Sequence, residues 1–164
     1  MKRTRRGSRD ALRPLLNPSI EALLRAAEGD WRGIILMGLG TGRRLNDIAR
    51  LRWDAIDLRY SLIRFNPAES APGAEQVRLS PALRRFITTL PKPLIPDALL
   101  FPRSAKQPLG LLQQEFRQTA VKAGLKRWTF DAVRLCFGLG LPQLDPLATS
   151  LIGDQQHCIR KALS

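Results

Sequence analysis

The sequence predicts a mostly helical domain carrying one small β-sheet, an α+β fold, on three observations. Apolar residues recur at helical spacing in several separate windows, one region alone changes to a two-residue alternation, and proline and glycine punctuate the boundaries. The 164 residues suffice for one hydrophobic core. They divide into a basic flexible arm over residues 1–14 and a single domain over residues 15–164.

The elements follow in order. Asn17-Pro18 is a cap followed by proline at the first helical position, and Ile20, Leu23, Leu24 and Ala27 carry a helix to about Glu28. Asp30 caps a second helix through Trp31, Ile34, Ile35, Met37 and Leu39, which stops in the glycines Gly38, Gly40 and Gly42. A short helix from about Asn46 to Leu51 turns Ile48 and Leu51 inward. Residues 58–65 and 76–79 read as two strands, linked by residues 66–75 with Pro67, Pro72 and Gly73. Ser80-Pro81 opens a helix through Leu83 and Phe86, and the proline-broken residues 91–96 are a connection. Residues 109–123 form a helix with Leu112, Phe116 and Ala120 on one face and Gly124 as its stop. Residues 130–139, 146–152 and 155–163 complete the helices, and Trp31, Trp53 and Trp128 belong to the core.

Charge points to a partner. Lys and Arg number 27 against 14 Asp and Glu, a formal net charge of +13, and 21 of the 27 are Arg. Arginine suits bidentate contacts to phosphate and guanine, so nucleic acid is the first partner to consider. Residues 1–14 alone carry Lys2, Arg3, Arg5, Arg6, Arg9 and Arg13 against Asp10, a block suited to lie along a phosphate backbone. Cys136 and Cys158 lack metal-site spacing and read as small hydrophobes, so neither metal nor cofactor is expected. No apolar run approaches the ~20 residues of a membrane span. The basic start precedes no long apolar region, which argues against a secretory signal. The expected location is the cytoplasm, at the nucleoid, with no membrane partner.

Two segments carry chemistry. The first is Thr41-Gly42-Arg43-Arg44 with Asp47 three residues on, followed by Leu51-Arg52-Trp53-Asp54 and Ile56-Asp57-Leu58. The second is Thr129-Phe130-Asp131-Ala132-Val133-Arg134. Together they resemble the two arginine motifs of the tyrosine recombinases (phage integrases), and Leu99-Leu100-Phe101-Pro102 resembles the family's lead-in to its middle helices. The resemblance covers roughly residues 15–164 and implies an integrase-like catalytic-domain fold, without the family's separate N-terminal DNA-clamping domain. It implies that Arg44 and Arg134 are the two phosphate-binding arginines and that Asp47 helps to position Arg44. Attack on a DNA phosphate develops negative charge on non-bridging oxygens, which two guanidiniums can clamp. A tyrosine nucleophile and proton-handling groups complete the family's chemistry.

The chain departs from that pattern where reactivity resides. Asp131 stands at the box's histidine, Asp154 follows Gly153 in place of a second histidine, and the hairpin loop has no lysine. Leu163 stands near the nucleophile's position, and the chain's one tyrosine, Tyr60, belongs to the sheet region. His157, three positions late, does not fill the gap; Cys158 and Ser164 have no activating neighbour. The expectation is a pseudoenzyme that binds double-stranded DNA, regulatory or accessory at a recombination or mobile-element site, with remnant positions Arg44, Asp131, Arg134, Asp154 and Leu163. Its expected DNA contacts are Lys2, Arg3, Arg5, Arg6, Arg43, Arg44, Arg103, Lys106, Arg127 and Arg134, with Arg117 among further candidates. Arg44 is expected to be oriented and partly buried. Asp131, with Asp154, is expected to neutralise the old clamp. Two other readings stay open. One is an active recombinase with an unusual or partner-supplied nucleophile. The other is an interaction module that exchanges its C-terminal segment with itself or a related recombinase.

Overall fold

The computed structural model describes residues 17–65 and 75–138. Its order is α1 (residues 17–26), α2 (Asp30–Thr41), α3 (Leu45–Ala49), β1 (Ile56–Asp57), β2 (Leu62–Phe65), β3 (Glu75–Arg78), α4 (Pro81–Thr89), α5 (Pro102–Ala105), α6 (Leu109–Lys122) and α7 (Phe130–Gly138). A 3₁₀ turn, Trp53–Ala55, leads into β1. The α+β expectation holds: most described elements are helices, and the strands form one antiparallel sheet in the order β1-β2-β3.

Helix α2 is the axis of the domain. It is apolar on nearly every side, and Trp31, Ile34, Ile35, Met37 and Leu39 are all buried. A helix of that composition is stable only when surrounded. Helices α3, α4 and α7 pack against it, and α1 adds Ile20, Leu23 and Leu24 to the same core. Its glycines do not stop it. A Cβ at Gly38 would stand 2.7 Å from Cζ of Phe130, and one at Gly40 would collide with Cδ1 of Leu83. Both positions let a neighbouring side chain approach the helix axis. The stop falls at Gly42, whose φ of 66° is left-handed and whose N–H returns to the Gly38 carbonyl at 2.9 Å.

Other boundaries shift for local reasons. Asn17 is already helical, so it is not the cap of α1. Gly29 rather than Asp30 precedes α2. The Asp30 carboxylate instead accepts from the backbone N–H groups of Arg103 and Ser104, both at 3.1 Å, and so caps α5, a helix the sequence reading did not separate. The expected strand over residues 58–65 is a hairpin. Asp57 Oδ1 accepts from the Tyr60 N–H at 3.0 Å, and Ser61 takes a φ of 55° to close the turn from β1 to β2. In β2 the alternation survives: Ile63 and Phe65 face the core and Arg64 faces water.

The remaining expectations hold within the described residues. Ser80 caps α4 by accepting from the Leu83 N–H at 3.2 Å, and Leu83 and Phe86 are buried. Leu112, Phe116 and Ala120 form the inner face of α6, and Gly124 ends it at a φ of 79°. Trp31 is buried, its indole N–H donating to Glu115 at 2.9 Å, while Trp53 and Trp128 pack at the core's margin. The arm over residues 1–14, most of the hairpin loop and the expected helices at 146–152 and 155–163 lie outside the described residues.

Candidate nucleic-acid interface

The turn between α2 and α3 positions the first motif. The buried Thr41 hydroxyl donates to the Met37 carbonyl at 2.6 Å and accepts from the Arg43 N–H at 3.3 Å, fixing the exit of the chain. Gly42 then reverses direction, and Arg44 becomes the extended residue before α3, its carbonyl accepting from the N–H groups of Asp47 and Ile48. The two neighbouring arginines diverge from here. Arg43 folds back onto the sheet, where it is ion-paired with Glu75 and lies 5.4 Å over the Phe65 ring. Arg44 turns outward and is exposed.

The second motif meets the first across an open cleft of about 380 Å³. Arg44, Leu45 and Asn46 form one wall, Thr129, Phe130, Asp131 and Arg134 a second, and α6 supplies Leu109, Gln113, Phe116 and Arg117. Thus Arg44 and Arg134, 90 positions apart in sequence, line the same cavity. The α2–α7 packing at Gly38 brings them there, because Phe130 and Val133 of α7 press on that glycine. The bond between the motifs is direct. Arg134 Nε donates to the Gly42 carbonyl at 3.1 Å, and Arg134 Nη1 pairs with Asp131 Oδ1 at 2.7 Å.

Two expectations about this cleft need correction or division. Arg44 is not partly buried: the extended backbone after Gly42 leaves its side chain at the cleft's rim. Among the described residues it makes no ion pair, with Asp47 or any other carboxylate. Neutralisation by Asp131 reaches Arg134 alone, and that carboxylate is 75% exposed, so the pair is a surface pair rather than a buried network. Asp154 and Leu163 lie outside the described residues, as do Lys2, Arg3, Arg5 and Arg6.

The other expected contacts are dispersed. Arg103 borders a smaller cleft of about 250 Å³ beside Glu28, Asp30 and Glu115, an acidic setting. Lys106 is exposed at the end of α5 and Arg127 is exposed between α6 and α7, and neither lines the arginine cleft. Arg117 does, a placement the sequence reading did not make. Its signal was the spacing of Leu109, Gln113 and Arg117 along one side of α6, four residues apart. Tyr60, at the β1–β2 turn and 66% exposed, is not part of the lining. Cys136 is buried on α7, and burial raises its thiol pKa, which keeps it protonated and unreactive at neutral pH.

Comparison with protein-family models, with curated proteins and with solved structures finds no match in any of the three. Among the described residues no His, Cys, Asp and Glu cluster could hold a metal ion, and no helix is long and apolar enough to cross a membrane.

Proposed function

We propose that this chain is a double-stranded DNA-binding protein built on a tyrosine-recombinase-like catalytic domain that no longer cleaves strands. The observation that carries the reading is the shared cleft: Arg44, Arg117 and Arg134 line one concave surface, drawn from three separate elements. Guanidiniums so grouped suit phosphate oxygens, and the charge of +13 supplies the long-range attraction toward a polyanion. Phosphate contacts of this kind fix position and salt sensitivity more than sequence choice. The use is regulatory or accessory at a recombination or mobile-element site.

The loss of chemistry rests on the residues around the clamp. Asp131 occupies the position where the resemblance calls for histidine, and it pairs with Arg134. A carboxylate there opposes the charge that develops on an attacked phosphate. The lone tyrosine lies at the sheet turn, outside the cleft lining.

A mobility-shift titration over salt tests binding: neutralising six phosphates gives a log–log slope of roughly −5. A slope near zero removes DNA as the main partner. A nicked suicide duplex tests cleavage, with no covalent protein–DNA adduct expected in a denaturing gel. An adduct trapped on any residue would restore the active-recombinase reading.

A further inference from the structure

The charge within the cleft is unevenly committed. Arg134 spends Nε on the Gly42 carbonyl and Nη1 on Asp131. Arg44 and Arg117, on different walls, make no ion pair among the described residues. Three guanidiniums against one carboxylate leave a net charge of two. An internal phosphodiester carries one negative charge. A phosphomonoester at neutral pH carries about −1.5 to −2, because its second ionisation falls near pH 6. The excess therefore matches a chain end better than a chain interior.

Shape points the same way. Phe116 and Phe130 are buried and floor the cleft, while Asn46, Gln113 and Thr129 offer polar groups around them. A concavity of about 380 Å³ with an apolar floor and a few polar groups falls within the size class of small-ligand sites. A duplex backbone passing over the surface has no use for such a floor. A terminal nucleotide has, since its base can lie on the apolar part while its phosphate meets the arginines.

We infer that the cleft receives a terminal nucleotide phosphomonoester, its phosphate held between Arg44 and Arg117 and its base against the Phe116–Phe130 floor. The ligand chemistry is shared by a 5′-phosphorylated DNA end and a free nucleoside monophosphate. The inference rests on the DNA-binding reading only for the first of these sources.

Fluorescence anisotropy with the full chain separates the outcomes. The probes are a 5′-phosphorylated duplex, the same duplex with 5′-hydroxyl ends, closed circular DNA as competitor, and deoxyadenosine monophosphate against deoxyadenosine. The phosphorylated end is expected to bind at least about tenfold tighter than the hydroxyl end, the size of one good charge-assisted contact. Arg117→Gln is expected to erase that preference, the phosphorylated end losing about tenfold more affinity than the hydroxyl end, with an unchanged thermal melt as proof of folding. Lowering the pH from 7.5 to 5.5 is expected to shrink the preference. The monoester loses most of a charge over that range, and the charged groups that face it are Arg44 at the turn before α3, Arg117 of α6, and Asp131 and Arg134 of α7.

Binding of the monophosphate but not the nucleoside, with no DNA binding, supports the cleft ligand and overturns the DNA-binding reading. Equal affinity for phosphorylated, hydroxyl-ended and circular DNA, with no monophosphate binding, overturns this inference and leaves the DNA-binding reading standing. A preference that survives Arg117→Gln also overturns it, because the end is then held elsewhere. Absence of binding to every probe overturns both.

Discussion

Arg134 serves structure and charge through different atoms, which makes the two roles separable by substitution. Its Nε bond to the Gly42 carbonyl ties α7 to the turn that ends α2. A hydrogen bond from a charged donor contributes about 1.5–3 kcal/mol, less where water reaches it, and this side chain is 33% exposed. Arg134→Ala is accordingly expected to lower the unfolding free energy by about 1–2 kcal/mol in a urea titration. Its ion-pair partner Asp131 contributes little to folding, because exposed pairs are worth less than about 1 kcal/mol. Asp131→Asn should shift stability by no more than about 0.5 kcal/mol. On DNA the two substitutions part in sign. Removing the carboxylate deletes a repulsive charge from the cleft and releases Arg134 Nη1, so duplex affinity is expected to rise several-fold. An Asp131→Asn protein that binds no better would show that phosphate never approaches Arg134.

At the scale of elements, the packing of α2 decides whether the cleft exists. Gly38 is where α7 closes on α2, with Phe130 Cζ at 2.7 Å and Val133 Cγ1 at 3.0 Å from the position a Cβ would take. Alanine favours a helix over glycine by about 1 kcal/mol, but here the methyl must displace two buried side chains. Gly38→Ala is expected to destabilise the domain by about 1–3 kcal/mol and to weaken DNA binding by moving Arg134 away from Arg44. Gly110, in the first turn of α6, has nothing within 4 Å, so Gly110→Ala should stabilise by about 0.4–1 kcal/mol. Thermal melts of the pair check both signs, and a stabilising Gly38→Ala would mean that α7 can slide. The same glycines mark how far the fold was legible in the sequence. Helical periodicity placed α2, α4, α6 and α7 because each has a continuous apolar face or a clear cap. It misread Gly38 and Gly40 as a stop, since a sequence window cannot distinguish a glycine that breaks a helix from one that admits a neighbour. It missed the β1–β2 turn for a related reason: that turn is made by Asp57 and a strained Ser61, without glycine or proline.

Over the whole molecule, the candidate site was half legible. The family resemblance of the two motifs singled out Arg44 and Arg134, but no local pattern says that α6 turns Arg117 toward them, or that Arg43 is drawn to Glu75 and Phe65 on the sheet. Those are consequences of how distant elements pack. The net charge, by contrast, is a property of the whole chain, and under the proposed DNA-binding function its distribution would divide binding into two separable contributions. The cleft gives a few oriented contacts. The basic residues of 1–14 give contacts that depend on charge count alone. Replacing Lys2, Arg3, Arg5 and Arg6 with glutamine in the full chain should flatten the log–log salt slope by about 2–4, since each phosphate neutralised contributes about 0.9. It should leave the melting temperature unchanged, because exchanging charged for polar side chains removes no apolar surface from a core. Arg44→Gln should flatten the slope by no more than about one, yet weaken binding at every salt concentration. If instead the four-residue substitution leaves the slope intact, the arm does not lie on phosphate. The domain surface, the cleft included, must then carry the whole interaction.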